Sequence, residues 1–143
     1  MITLDPRTRL EVLTPEACVR LLSLHHLGRL GVIADGRPLV LPVNYAFDGD
    51  SVVFRTDDGT KLHAAIGNPV AFEIDGSDNV WHSGWSVVVA GTAELVPDEE
   101  HDDLGALPLG PWCPGPKLTW VRITVDDISG RRIVPLEVAR DGS

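Results

Sequence analysis

The sequence predicts a mainly β fold: an antiparallel sheet closed, or nearly closed, into a barrel, with a few short helices. Three observations carry this. Apolar residues recur with period two along several runs, most plainly at Leu39, Leu41, Val43, Tyr45 and Phe47. Tight-turn signals, Asp35-Gly36 and Asp48-Gly49-Asp50, join neighbouring runs. The longer runs also carry apolar residues on their second face, the pattern of a strand covered outside the barrel by a partner subunit. A β-sandwich is the alternative arrangement of the same strands.

Taken in order, the first element is a helix. Thr14 supplies a hydroxyl N-cap, Pro15 a pre-set first turn, and Glu16 an acid at the positive dipole end. It is expected to run to about His25, with Cys18, Leu21, Leu22 and His25 on one face and Gly28 stopping it. Strands follow over residues 28–34, 39–47 and 51–56. A short helix is expected over 62–66, and Asn68-Pro69 then opens a strand over 70–75. A long strand covers 84–96, with a bend or bulge at Gly91. Pro97 ends it, and the acidic stretch 98–104 reads as a short exposed helix. Four prolines between 108 and 116 forbid regular structure there. Alternation returns over 118–125, and 128–135 reads as a last edge strand.

At 143 residues the chain is expected to form one domain, 1–143, large enough to bury a core. The formal charge of −9 argues against nucleic acid and acidic lipid as partners, because either needs several cations on one face. No run approaches the ~18 apolar residues of a membrane span. The N-terminal residues lack the pattern of a signal peptide. Cys18 and Cys113 stand far apart and outside any CxxC, which argues against a disulfide framework and a zinc site. A reducing cytoplasm is the expected setting. His25 and His26 are neighbours on a helix and point apart, so no metal site is expected.

Against that acidic background the segment Arg55-Thr56-Asp57-Asp58-Gly59-Thr60-Lys61 stands out. A strand ends in Arg-Thr, turns, and enters a short helix at Thr-Lys. Two cations, two hydroxyls and free helix amides at that spacing suit a phosphate. The plainer alternative is that Arg55 and Lys61 pair with Asp57 and Asp58 at the surface, a contact worth ~0–1 kcal/mol. Four tryptophans, Trp81, Trp85, Trp112 and Trp120, could wall a flat cofactor or pack an interface; packing is favoured for Trp112 and Trp120. No residue stands out as a catalytic acid or base, and there is no dinucleotide-binding glycine loop.

Five segments, 28–34, 36–45, 53–62, 68–75 and 84–94, in this order and spacing, resemble the pyridoxamine 5′-phosphate oxidase-like family of FMN-binding split β-barrels. The resemblance implies an antiparallel, Greek-key split barrel and a homodimer holding FMN at its interface. It implies that Pro42, Val43 and Asn44 lie along the isoalloxazine ring. Arg55, Thr56, Lys61 and Leu62 would hold the phosphate, and Trp85 and Ser86 would come in from the long strand. Residues 135–143 lack the basic tail of the oxidases proper, so vitamin B6 oxidation is not implied. Acidity favours FMN over a deazaflavin with an acidic tail. The expected function is a flavin-dependent oxidoreductase acting on a small molecule. The alternative is a flavin, deazaflavin or haem binding or sensor module without turnover.

Overall fold

The computed structural model describes residues 3–8, 10–56, 63, 65–80, 82–100 and 119–133. In chain order the strands are β1 (Thr3–Leu4), β2 (Glu11–Val12), β3 (Leu27–Ala34), β4 (Arg37–Phe47), β5 (Ser51–Thr56), β6 (Pro69–Asp78), β7 (Ser83–Leu95) and β8 (Thr119–Ile133). The helix α1 (Pro15–Leu24) separates β2 from β3, and a single 3-10 turn spans Asp98–Glu100. The sheet order is β1-β2-β8-β5-β4-β3-β6-β7, and β7 also pairs with β8. Six strands, β8-β5-β4-β3-β6-β7, therefore close into an antiparallel barrel, and β1 and β2 extend one side of it.

The closure is uneven, and this positions the site. β7 pairs with β8 from Gly84↔Ile133 to Leu95↔Val121 and with β6 along nearly all of its length. Two seams are short. β3 meets β6 only at Arg29–Gly31, and β4 meets β5 only at Tyr45–Phe47. The β4 stretch from Arg37 to Asn44 thus has β3 on one edge and no strand on the other among the described residues.

The barrel interior holds Leu30, Val32, Tyr45, Val52, Phe54, Phe72, Ile74, Val87, Val89, Val121 and Ile123, all buried. Each large side chain there contributes about 1.5–3 kcal/mol relative to exposure. Tyr45 and Phe72 meet edge to face, with centroids 4.8 Å apart at 69°. Helix α1 closes one end. Its Thr14 Oγ1 accepts the Ala17 N–H at 3.1 Å, the expected cap, and its Cys18 and Leu22 are fully buried. The Tyr45 hydroxyl donates to the Leu22 carbonyl at 2.7 Å, tying the helix end to the barrel.

Several sequence expectations are refined. The helix ends at Leu24, with His25 as an extended C-cap; Gly28 lies inside β3 and does not stop it. The described residues of 118–125 and 128–135 belong to one strand, β8, which pairs with β7 on one side and with β5 and then β2 on the other, so it is no edge strand. The bulge expected at Gly91 explains the break: Gly91 pairs with Val125 and Ala90 with Asp127, leaving Asp126 extra. A Cβ on Gly91 would run into the Thr124 carbonyl oxygen and lie 2.9 Å from Ile123 Cγ2, so only glycine fits this crossing. Ile66, expected to end a short helix, forms a parallel bridge with Ala93. Of that stretch His63 and the buried Ala65 are also described; residues 62 and 64, most of 98–104 and the proline-rich loop lie outside the described residues.

Candidate functional site

The site is assembled where β5 ends beside the open edge of β4. Tyr45↔Phe54 is the last pair of the β4–β5 ladder, so Asn44 and Arg55 are the residues just beyond it on the two strands. The Tyr45 N–H bonds the His26 carbonyl at 2.9 Å, towards β3. Backbone groups alternate sides along an antiparallel strand. Val43 therefore also directs its N–H and C=O at β3, whereas Asn44 directs its N–H, and Pro42 its carbonyl, at the edge without a strand. Pro42 has no N–H, and of Val43 and Asn44 the register leaves Asn44 facing outward. The Val43 side chain packs against the core, and Pro42 is exposed on the outer face.

The Asn44 side chain adds a second feature. Its Oδ1 and Nδ2 are both buried and neither has a hydrogen-bond partner among the described residues. An unsatisfied buried polar group costs about 1–3 kcal/mol, and such groups mark places where something outside the chain completes the set. Both atoms are shielded, so a partner reaches them only where the covering chain gives way. His26 Nδ1 is orphaned in the same manner.

Arg55 is exposed and Thr56 half-buried at the end of β5. The Arg55 guanidinium carbon lies 5.3 Å from the centroid of Trp120, its cross-strand partner on β8. Among the described residues Arg55 makes no ion pair. Trp120 is 7% exposed and packs with Val53 and Val96 as a small second core on the outer face. Lys61 and Leu62, the other expected phosphate-holding residues, lie outside the described residues, as do Asp57, Asp58 and Thr60.

Trp85 and Ser86 lie on β7; Trp85 pairs with Arg132 of β8, whereas Arg55 pairs with Trp120, so the ladder does not set Trp85 and Ser86 beside Arg55. They line a half-open cavity of about 280 Å³ with Asp75, Gly76 and Arg131. The Trp85 ring stands 5.0 Å from that of His25, tilted by 43°, and a Cβ on Gly76 would come within 2.6 Å of its Nε1. His82 is an exposed turn residue at positive φ.

Charge near Pro42 escaped the sequence reading. Arg29, opposite Pro42 in the β3–β4 ladder, donates from Nη2 to Glu73 Oε1 at 2.8 Å and from Nε at 3.1 Å, and also reaches Asp75 Oδ2. Burial and the hydrogen bond shared with Asp75 push the Glu73 carboxyl above its ordinary value, outweighing Arg29. The β3–β6 register, which sets Arg29 opposite Glu73, is what makes these residues neighbours. Among the described residues no three His, Cys, Asp or Glu side chains gather to hold a metal, and no helix is long and apolar enough to cross a membrane.

The family model described as pyridoxamine 5′-phosphate oxidase matches residues 14–132, from the cap of α1 almost to the end of β8. The chain belongs to the pyridoxamine 5′-phosphate oxidase family. The expected split barrel is therefore the family's fold as well as the observed one. An uncharacterized protein of Mycobacterium tuberculosis is 33% identical over 138 residues, covering 91% of each chain. The solved structure of the FAD binding protein from Mycobacterium smegmatis is 38% identical, with a TM-score of 0.73, over 85% of this chain and 98% of that one. A conserved protein of unknown function from Corynebacterium diphtheriae is 34% identical, with a TM-score of 0.74, over 91% of this chain and 100% of that one. This family member thus shares its barrel nearly end to end with a flavin-binding neighbour.

Proposed function

We propose that this protein binds a flavin and uses it as an oxidoreductase acting on a small molecule. The observation that carries the proposal is the abutment of two features at one place: a strand end bearing Arg55 and Thr56, and the free backbone edge of β4 at Asn44. A flavin needs both, because its phosphate is anionic and its pyrimidine edge is polar, and the two are joined by a short ribityl chain. Arg55 can grip phosphate through two parallel N–H groups while Thr56 donates its hydroxyl. The Asn44 N–H would hydrogen bond the polar edge of the ring, where negative charge gathers on reduction. Lys61 and Leu62 follow Thr56 after four intervening residues and are proposed to complete the phosphate grip. A bound flavin would supply hydride or electron transfer, and the chain supplies grip, orientation and a half-open pocket.

FMN is the proposed cofactor. FAD, named for the Mycobacterium smegmatis neighbour, carries the same ring, ribityl chain and first phosphate, so the same residues would serve it. A second copy of the chain is proposed to bring Trp85 and Ser86 to the ring, since the β8 ladder does not set them beside Arg55 within one chain. The outer face supports such a homodimer: Ile33 is 59% exposed and Val40 65%, with Leu27 beside Asn44.

The test is a fluorescence titration of flavin-free protein with FMN, followed by steady-state assays with reduced nicotinamides and a panel of small acceptors. Binding that weakens about 10- to 100-fold in Arg55→Ala, the loss of charged hydrogen bonds, is the expected result. Unchanged binding in that variant removes the phosphate site. Tight binding without turnover on any acceptor would recast the protein as a flavin carrier or sensor.

A further inference from the structure

The phosphate grip proposed above has an exposed arginine at its centre, and such a side chain is ordinarily free to sample many rotamers. Holding it still for a ligand costs conformational entropy. Here the guanidinium does not hang free. It lies 5.3 Å from the centroid of the Trp120 ring, directly across the β5–β8 ladder. That ring is itself fixed: it is 7% exposed, packs with Val53 and Val96, and sits on a strand paired on both sides, to β5 and β7. The guanidinium carbon lies over the ring, and the N–H groups directed away from the ring are the ones a phosphate can engage.

We infer that Trp120 is a positioning residue for flavin binding, holding Arg55 ready so that its donors meet the phosphate without a search. The inference rests on the reading of Arg55 as a phosphate ligand. It assigns Trp120 a role through its own chain's arginine, in addition to its packing. A lysine at 55 would lose both the flat stack and the two-pronged grip.

The experiment compares FMN with riboflavin, which has the same ring and no phosphate, on flavin-free wild-type, Trp120→Leu, Trp120→Phe and Arg55→Ala proteins, and on the Trp120→Leu/Arg55→Ala double variant. Trp120→Leu is expected to weaken FMN by about two- to fivefold, the worth of a surface cation–π contact, with riboflavin unchanged. Trp120→Phe keeps a ring and is expected to stay within about twofold of wild type. In the Arg55→Ala background the loss of Trp120 is expected to add nothing, because the two act as one unit. Equal weakening of FMN and riboflavin in Trp120→Leu, or effects that simply multiply in the double variant, would overturn the inference while leaving Arg55 its role. If Trp120→Leu fails to fold, Trp120→Met, which refills the apolar site without a ring, takes its place with the same expected result. If Arg55→Ala itself leaves FMN affinity unchanged, the phosphate reading fails and the positioning role with it.

Discussion

Replacing Asn44 by leucine should stabilise the flavin-free protein and weaken its hold on flavin. Leucine has nearly the shape of asparagine, with two methyls where the amide has its oxygen and nitrogen. In the native chain both of those atoms are buried and neither has a partner among the described residues. Leaving a buried amide unsatisfied costs about 1–3 kcal/mol, and apolar atoms of the same shape do not incur that cost. At roughly 3 °C per kcal/mol for a chain of this length, the midpoint of thermal unfolding should rise by about 3–9 °C. Differential scanning fluorimetry of flavin-free protein, checked by urea titration with unchanged slope, reads this directly. FMN affinity should fall by roughly 2- to 10-fold, the worth of one hydrogen bond. A variant less stable than wild type would mean that the amide already has partners, and unaltered FMN affinity would remove its side chain from the site.

Further outcomes follow from single contacts. Tyr45→Phe strips the Leu22 carbonyl of its buried donor and should cost about 1–3 kcal/mol in urea unfolding; a loss below about 0.5 kcal/mol would show that α1 is held by packing alone. Gly91→Ala forces a Cβ into the Thr124 carbonyl oxygen at the bulge and should abolish soluble expression or lower the melting midpoint sharply, whereas a neutral result would place the bulge elsewhere. Glu73 has a folded pKa above its unfolded one, so its contribution to stability is present at low pH and is lost as pH rises through the raised value. Wild type should accordingly lose stability relative to Glu73→Gln as pH rises above the ordinary carboxylate range, and a difference that stays flat there would refute the shift. Cys18 is fully buried and burial pushes its thiol up, so native protein should resist alkylation at Cys18 in a peptide-resolved iodoacetamide assay that labels it once urea is added.

The strands were legible because period two and turn chemistry are local. Thr14-Pro15-Glu16 starts α1 as expected, and Asp35 and Gly36 both adopt positive φ at the β3–β4 turn. Asp48 Oδ1 accepts from the Asp50 and Ser51 N–H groups at the next turn. Where one residue breaks a rhythm, local reading failed: the extra Asp126 shifts the alternation, so a single strand reads as two. The short pieces β1 and β2 carry no pattern of their own and are held by β8, so only pairing reveals them.

The candidate site was legible in residue types and illegible in geometry. Arg55-Thr56 at a strand end is a residue pattern that suits an anion, with surface pairing to Asp57 and Asp58 as the alternative that spacing leaves open. Which backbone groups face the free edge depends on the β3–β4 register, because Val43 and Asn44 exchange roles if it slips by one residue. The stack of Arg55 on Trp120 joins residues 65 positions apart in sequence, and the Arg29, Glu73 and Asp75 cluster likewise spans the chain. Periodicity says which way such side chains face and nothing about what stands beside them.

The most direct measurement is mass spectrometry of the small molecule released when the purified protein is denatured, with FMN supplied first if the preparation is colourless. The account predicts a flavin, released in about equimolar amount to the chain. A deazaflavin, a haem, or no bound molecule even after exposure to FMN would contradict it.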